Sequence, residues 1–212
     1  KLEKLFRALR PRFQRGIDSD NKPVLTNDNI RPDILLRIGS RMPVVQPERF
    51  TPQLIKLFTD FQPLRLIVHI NHPRELAPEV RATLHSLVSS GVLVHSQTVL
   101  LSGINDNEFC LAELFRDLLN LGVTPYYLFQ GDLAPGTGHF RVPLLQGLAL
   151  YRKLGTLISG LALPKYAVDL PGGGGKILLH EGVIQDRQND TAGNEFFLLK
   201  DAYGRLWKYP DE

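Results

Sequence analysis

The chain has 212 residues, 43% hydrophobic and 22% charged, enough for a buried core and incompatible with a disordered tail, a coiled coil or a fibrous repeat. Its 25 basic and 22 acidic residues leave a net charge of +3, which gives no case for nucleic acid, and no apolar run approaches the about 20 residues of a membrane span. A single cysteine, Cys110, excludes a disulfide framework, a zinc ribbon or a Cys-ligated cluster built from this chain alone. The chain opens at Lys1 and its only methionine is Met42, so it is expected to be processed or an excerpt of something longer. Basic residues from Lys1 to Arg12 break up any secretory signal, and a cytoplasmic location is expected.

Leu2, Leu5, Phe6 and Leu9 fall at helical spacing and predict a short amphipathic helix over Lys1–Leu9. A polar, turn-rich connector follows from Arg10 to Asp33. Strands are predicted over Ile34–Ile38, Leu64–Ile70, Val92–Leu101 and Thr124–Phe129. Between and after them come helices over Thr51–Phe61 (Thr51 as N-cap, Pro52 in the first turn), Pro78–Ser90, Asn107–Leu121 and Pro143–Leu161. Strand–helix alternation argues for parallel pairing, and four units cannot close an eight-fold barrel, which leaves part of a barrel or a small open sheet. The tail changes character: Lys176–Ile184, Glu195–Lys200 and Arg205–Tyr209 read as short strands with turns at Asn189–Asp190 and Tyr203–Gly204.

The sharpest feature is Pro171-Gly172-Gly173-Gly174-Gly175-Lys176. Four glycines in a row cost backbone entropy and need a reason, such as close approach to a ligand. The phosphate-loop pattern fails, because Leu170 and Ile177 stand where it needs Gly and Ser/Thr. Lys176 is then either an imine-forming amine or a solvated charge on a flexible linker. Asp132, in the loop after the fourth strand, could hold a cation, a base or a metal, or simply cap its turn; Asp169, just before the glycine run, could join it in receiving an ammonium group or be a turn residue. His69 and His72 end a strand, but their spacing off a helix does not bring both rings to one ion, so no metal site is assigned to this chain. Gln97 is polar inside an apolar strand and needs a partner if it faces inward. Arg37 and Arg41 form a cationic corner suited to a carboxylate, a phosphate or a salt bridge.

Taken in order, these segments resemble the lysine 2,3-aminomutase family of radical S-adenosylmethionine enzymes. The segments are His69-Ile-Asn-His-Pro-Arg-Glu75, Gln97-Thr-Val-Leu-Leu-Ser-Gly-Ile-Asn-Asp106, Pro125-Tyr-Tyr-Leu-Phe-Gln-Gly-Asp132, His139-Phe-Arg141 and Val168-Asp-Leu-Pro-Gly-Gly-Gly-Gly-Lys176. Arg37-Ile-Gly-Ser-Arg41 and Pro43 also fit, and the resemblance runs from about Ile34 to Lys176. It implies an α/β fold: a partial (β/α) barrel of radical SAM type with parallel strands and outer helices, plus a C-terminal extension of short β strands. The expected division is an N-terminal helix and connector over 1–33, the C-terminal part of the barrel over 34–161, and the lysine loop with the β extension over 162–212.

The resemblance also implies roles. Lys176 would form the internal aldimine with pyridoxal phosphate, Asp132 and Asp169 would receive the substrate's side-chain ammonium, and His69 and Gln97 would lie against S-adenosylmethionine. The implied reaction is 1,2-migration of the amino group of L-lysine, giving β-lysine. The family's [4Fe-4S] cluster takes three cysteines in a C-x-x-x-C-x-x-C run that this chain lacks, so its ligands, and the radical-generating machinery, are expected outside the chain. The chain alone is accordingly expected to be inactive, and a bare sheet edge would let it self-associate or pair with a cluster-bearing part. The expected partner is an amino acid substrate, L-lysine, with neither nucleic acid nor membrane. Two other readings stand beside this one: a split-gene or degenerate binding module, and a phosphate- or nucleotide-binding domain using Gly172–Lys176.

Overall fold

The computed structural model describes residues 1–9 and 36–210, so the connector Arg10–Asp33 and the first residues of the expected strand at Ile34 lie outside the described residues. Helix α1 (Leu2–Leu9) buries Phe6, whose ring lies 5.0 Å from that of Phe61, while Leu2 and Leu5 stay exposed. Strand β1 (Leu36–Ser40) leads into a short helix α2 (Met42–Val45) and then α3 (Pro52–Asp60). The expected cap is present: the Leu54 N–H donates to Thr51 Oγ1 at 3.3 Å, with Pro52 in the first turn. There follow β2 (Leu64–His69), α4 (Pro78–Ser89), β3 (Leu93–Val99), α5 (Glu108–Asn120), β4 (Thr124–Phe129) and α6 (Leu144–Leu157). Gly91 and Gly122, both at positive φ, end α4 and α5 as left-handed turn residues. The last helix is shorter than its apolar pattern suggests, because Ile158 is already extended and Ser159–Gly160 opens a turn closed by the Ala162 N–H on Ser159 O.

Strand β5 (Lys165–Leu170) then joins the sheet in parallel, and β6 (Gly175–Leu178) folds back on it antiparallel. The six strands pair in the order β1-β2-β3-β4-β5-β6, and the mostly parallel sheet curls into a half-barrel. One face of each strand enters the common core with α3, α4, α5 and α6: Leu64, Leu66 and Val68 on β2, Val94 on β3, Leu128 on β4, Tyr166, Val168 and Leu170 on β5. The alternate positions, among them Arg37, Gln97, Tyr127, Phe129 and Asp169, stay partly or fully exposed on the other face. β1 pairs with β2 on one edge, and no strand among the described residues pairs with the other.

A separate antiparallel sheet follows: β7 (Ile184–Asn189), β8 (Glu195–Lys200) and β9 (Leu206–Pro210). The stretch read as one strand from Lys176 to Ile184 is therefore β6, a 3-10 turn at Glu181–Val183 and the start of β7. Both expected turns are built on an aspartate: Asp190 accepts backbone N–H groups of Ala192 and Asn194, and Asp201 those of Tyr203 and Arg205. Phe197, Leu199 and Tyr209 are buried in the same core as the half-barrel, so this sheet is docked on it. No helix among the described residues is long and apolar enough to cross a membrane.

Candidate active site at the carboxyl ends of the strands

The glycine run is the turn of the β5–β6 hairpin. Gly172, Gly173 and Gly175 adopt φ of 66°, 81° and 81°, which disfavours any residue with a Cβ. Gly174 has an ordinary φ of −64° but no room, since a Cβ there would lie 2.8 Å from Leu170 Cβ and from the Trp207 ring. Turn geometry thus requires three of the four glycines and packing the fourth. The run feeds a strand, so it lacks the helix N-terminus on which a nucleotide loop relies.

This hairpin register sets Asp169 directly opposite Lys176. The Lys176 ammonium donates to both carboxylate oxygens, at 2.7 and 2.8 Å. It also lies 3.9 Å from the centroid of the Phe129 ring and 5.4 Å from that of Tyr127. Those two rings stand 5.1 Å apart on alternate positions of β4 and wall the ion pair from the side. A bulge contributes the rest of the wall: Ser96 pairs with Pro125 and Gln97 with Tyr127, so Tyr126 is the extra residue and its ring sits 4.1 Å from that of Tyr127. The Tyr127 hydroxyl is pushed up to about 12 by its hydrogen bond with Tyr126, by burial and by the neighbouring Asp169, against the opposing pull of Arg37.

Asp132 is placed differently. The loop that carries it leaves β4 through buried Gln130, whose backbone N–H donates to Ala167 O and whose amide bonds Val142 O and the Tyr166 hydroxyl. Asp132 itself is exposed, in the loop at the carboxyl end of the sheet, and makes no ion pair among the described residues.

His69 and Gln97 are partners in the β2–β3 register, side by side at the same end of the sheet. Burial, then the charge of Arg41, keeps the His69 imidazole below its ordinary pKa, favouring the neutral ring. The cationic corner divides. Arg41 pairs with Glu75 at 2.8 Å, and Glu75 also accepts the N–H groups of Asn71 and His72. Arg37 stands exposed close enough to Tyr127 to act on its hydroxyl. His72 is used locally, its Nδ1 accepting the Arg74 N–H as a cap, and does not converge with His69. Asn71 and Asn105 fasten β2 to β3: Asn71 Oδ1 accepts from Val99 N, and the Asn105 amide donates to Asn71 O and Val99 O at 2.8 Å. Among the described residues no three His, Cys, Asp or Glu side chains are grouped as metal ligands.

Tyr126, Tyr127 and Phe129 were visible in the sequence as part of a motif, but no role attached to them. Period-2 alternation along β4 puts Tyr127 and Phe129 on the face of the loop that follows, and that was the available signal.

Fold and site define the class first: a parallel half-barrel protein with an aromatic-walled lysine–aspartate site at the carboxyl ends of its strands. No protein-family model matches the chain. Curated relatives do. A Treponema pallidum protein provisionally named an L-lysine 2,3-aminomutase is 46% identical over 182 residues, covering 86% of this chain and 51% of the relative. The L-lysine 2,3-aminomutase of Bacillus subtilis is 35% identical over 95% of this chain and 44% of its own length. A glutamate 2,3-aminomutase of Clostridioides difficile is 34% identical, over 84% of this chain and 41% of the relative. The chain belongs to the lysine 2,3-aminomutase family. It spans about half the length of the curated relatives it matches.

Proposed function

We propose that this chain carries the cofactor lysine and the substrate side-chain acceptor of an enzyme that moves the amino group of L-lysine from carbon 2 to carbon 3, giving β-lysine. One observation carries the reading: an alkylammonium, that of Lys176, rests on both oxygens of Asp169 beside the Phe129 ring. The distal end of a lysine substrate bears the same group. The family membership supports the reaction type.

Pyridoxal phosphate fits these residues. Lys176 offers a primary amine, Tyr127 and Phe129 a flat aromatic wall, and a Cβ at Gly172, Gly173 or Gly175 would meet nothing within 4 Å, which leaves open backbone beside the amine. When bound, that group supplies a conjugated ring that tethers the migrating nitrogen and delocalises the unpaired electron. Lys176 holds the cofactor, Asp169 is released from Lys176 to take the substrate ammonium, and Asp132 approaches it from the neighbouring loop. His69 and Gln97 offer paired polar groups to S-adenosylmethionine.

A three-thiolate iron–sulfur cluster does not fit this chain's residues. Cys110 is the one cysteine, half-buried on α5, and burial and nearby carboxylates push its thiol up. Any cluster takes its ligands from outside the 212 residues. The outer edge of β1 is the place for a cluster-bearing part or a second copy to pair. Substrate choice between lysine and glutamate turns on charge: two aspartates attract an ammonium and repel a side-chain carboxylate.

The test is borohydride reduction of the protein with pyridoxal phosphate, followed by mass analysis. We expect label on Lys176 and none in Lys176→Ala. Label that persists in that variant removes the assignment, and β-glutamate rather than β-lysine as product of the intact enzyme removes the substrate.

A further inference from the structure

The sole tryptophan, Trp207, lies on β9 in the docked sheet, outside the half-barrel, yet it touches the glycine run. The would-be Cβ of Gly174 falls 2.8 Å from Trp207 Cε3 and 2.9 Å from Cδ2, so the indole face closes directly on the hairpin turn that precedes Lys176. The ring cannot swing away freely, because its Nε1–H donates to Asp201 Oδ2 at 3.0 Å. Asp201 is itself buried and fixed, accepting from Tyr203 N, Arg205 N and Arg205 Nε. Two residues along β9, Tyr209 is buried and places its hydroxyl 3.5 Å from Gly131 O, beside Asp132. That contact is long for a hydrogen bond, so Tyr209 holds the loop chiefly by packing.

One strand therefore abuts both loops that bear the proposed acceptors. We infer that Trp207 and Tyr209 are positioning residues: β9 sets the gap between the Asp132 loop and the Asp169–Lys176 hairpin, and with it the cofactor seat and the length of amino acid that fits. The inference rests on the proposed roles of Lys176, Asp169 and Asp132. It goes beyond them, because it assigns specificity to a strand that contributes no group to the chemistry. A lysine and an amino acid one methylene shorter carry the same charge, so only a fixed gap separates them.

The test compares the protein as encoded with Trp207→Ala, Trp207→Phe and Gly174→Ala. Gly174→Ala perturbs the same contact from the hairpin side: its φ suits any residue, but the added Cβ would press on Leu170 and the Trp207 ring, so the hairpin or the indole must shift, and the Tm separates that shift from misfolding. Three quantities are read: the apparent Kd for pyridoxal phosphate from borohydride trapping at Lys176, the preference for lysine over ornithine in kcat/KM, and the Tm. A displacement of the hairpin by about 1 Å is expected to weaken cofactor retention about tenfold in Trp207→Ala and Gly174→Ala, and to erode the preference for lysine by a similar factor. Trp207→Phe, which keeps an aromatic face, is expected to recover most of both. If cofactor Kd and substrate preference stay at wild-type values while only Tm falls, Trp207 is mere packing and the inference is overturned. Failure of the wild-type protein itself to trap the cofactor at Lys176 overturns the proposed function and the positioning role together. Wild-type trapping with unaffected variants overturns the positioning role alone.

Discussion

Replacing Asp169 by asparagine separates a structural ion pair from a substrate acceptor. The carboxylate and the Lys176 ammonium are only partly shielded, with 51% and 32% of their side chains exposed. A pair exposed to this degree contributes about 0–1 kcal/mol to stability. Its loss should shift Tm by less than about 4 °C for a chain of this size. A charge-assisted contact to a substrate ammonium contributes about 2 kcal/mol, which corresponds to about a thirtyfold change in affinity. Asp169→Asn should therefore raise KM for L-lysine about thirtyfold, with a much smaller change in kcat and nearly unchanged melting. Borohydride trapping at Lys176 should survive, because the amine remains. Asp132→Asn should behave alike in KM and leave stability untouched, since Asp132 has no ion-pair partner to lose among the described residues. Steady-state kinetics of the intact enzyme and thermal melts read the two quantities separately. An unchanged KM, or a stability loss above about 2 kcal/mol, would show that Asp169 serves the hairpin rather than the substrate.

Two further predictions concern the scaffold around the site. Gly147 lies inside α6, where alanine is favoured by about 1 kcal/mol, yet a Cβ there would run into the Tyr166 hydroxyl and sit 3.1 Å from Gln130 Oε1. Overpacking costs about 1–3 kcal/mol and the alanine propensity offsets about 1 of it, so Gly147→Ala should lose up to about 2 kcal/mol in urea unfolding. Tyr166→Phe should relieve part of the loss, and a stabilised Gly147→Ala would contradict the packing. The second concerns pH. Burial and Arg65 lower the His95 pKa, as burial and Arg41 lower that of His69, from the ordinary 6.5. Below 6.5 the unfolded chain binds protons that the folded protein refuses, so stability should be level above that pH and fall as pH drops through the lowered values. His95→Asn should flatten part of the slope in urea titrations at stepped pH; an unchanged slope would assign the acid sensitivity elsewhere.

Local signals carried the helices and the central strands. Thr51 and Pro52 announce α3, Gly91 ends α4, and the β-branched and aromatic run at Thr124–Phe129 matches β4 residue for residue. β5 escaped because Lys165 and Asp169 interrupt its apolar residues; those charges lie on the exposed face of the sheet, while Tyr166, Val168 and Leu170 enter the core. β7 reads Ile-Gln-Asp-Arg-Gln-Asn and exposes nearly every side chain, so no periodicity marks it. It exists as a strand through its pairing with β8.

The site was legible only where its parts lie close along the chain. Asp169 and Lys176 are seven residues apart, and the intervening Pro-Gly run is itself the reason they face each other: left-handed glycines reverse the chain within that span. That reversal turns two weak candidates into one bidentate pair. The contacts that hold the site in place are non-local and leave no spacing to read. Gly174 meets Trp207 and Gly131 meets Tyr209 only because the three-stranded sheet docks on the half-barrel. From the sequence, Gly174 looks like one more flexible glycine and Trp207 like one more core aromatic. Sterically, the first is absent of side chain because the second is present. Substituting either should disturb the same lysine, and that coupling between residues far apart in the chain is what the sequence alone had no means to express.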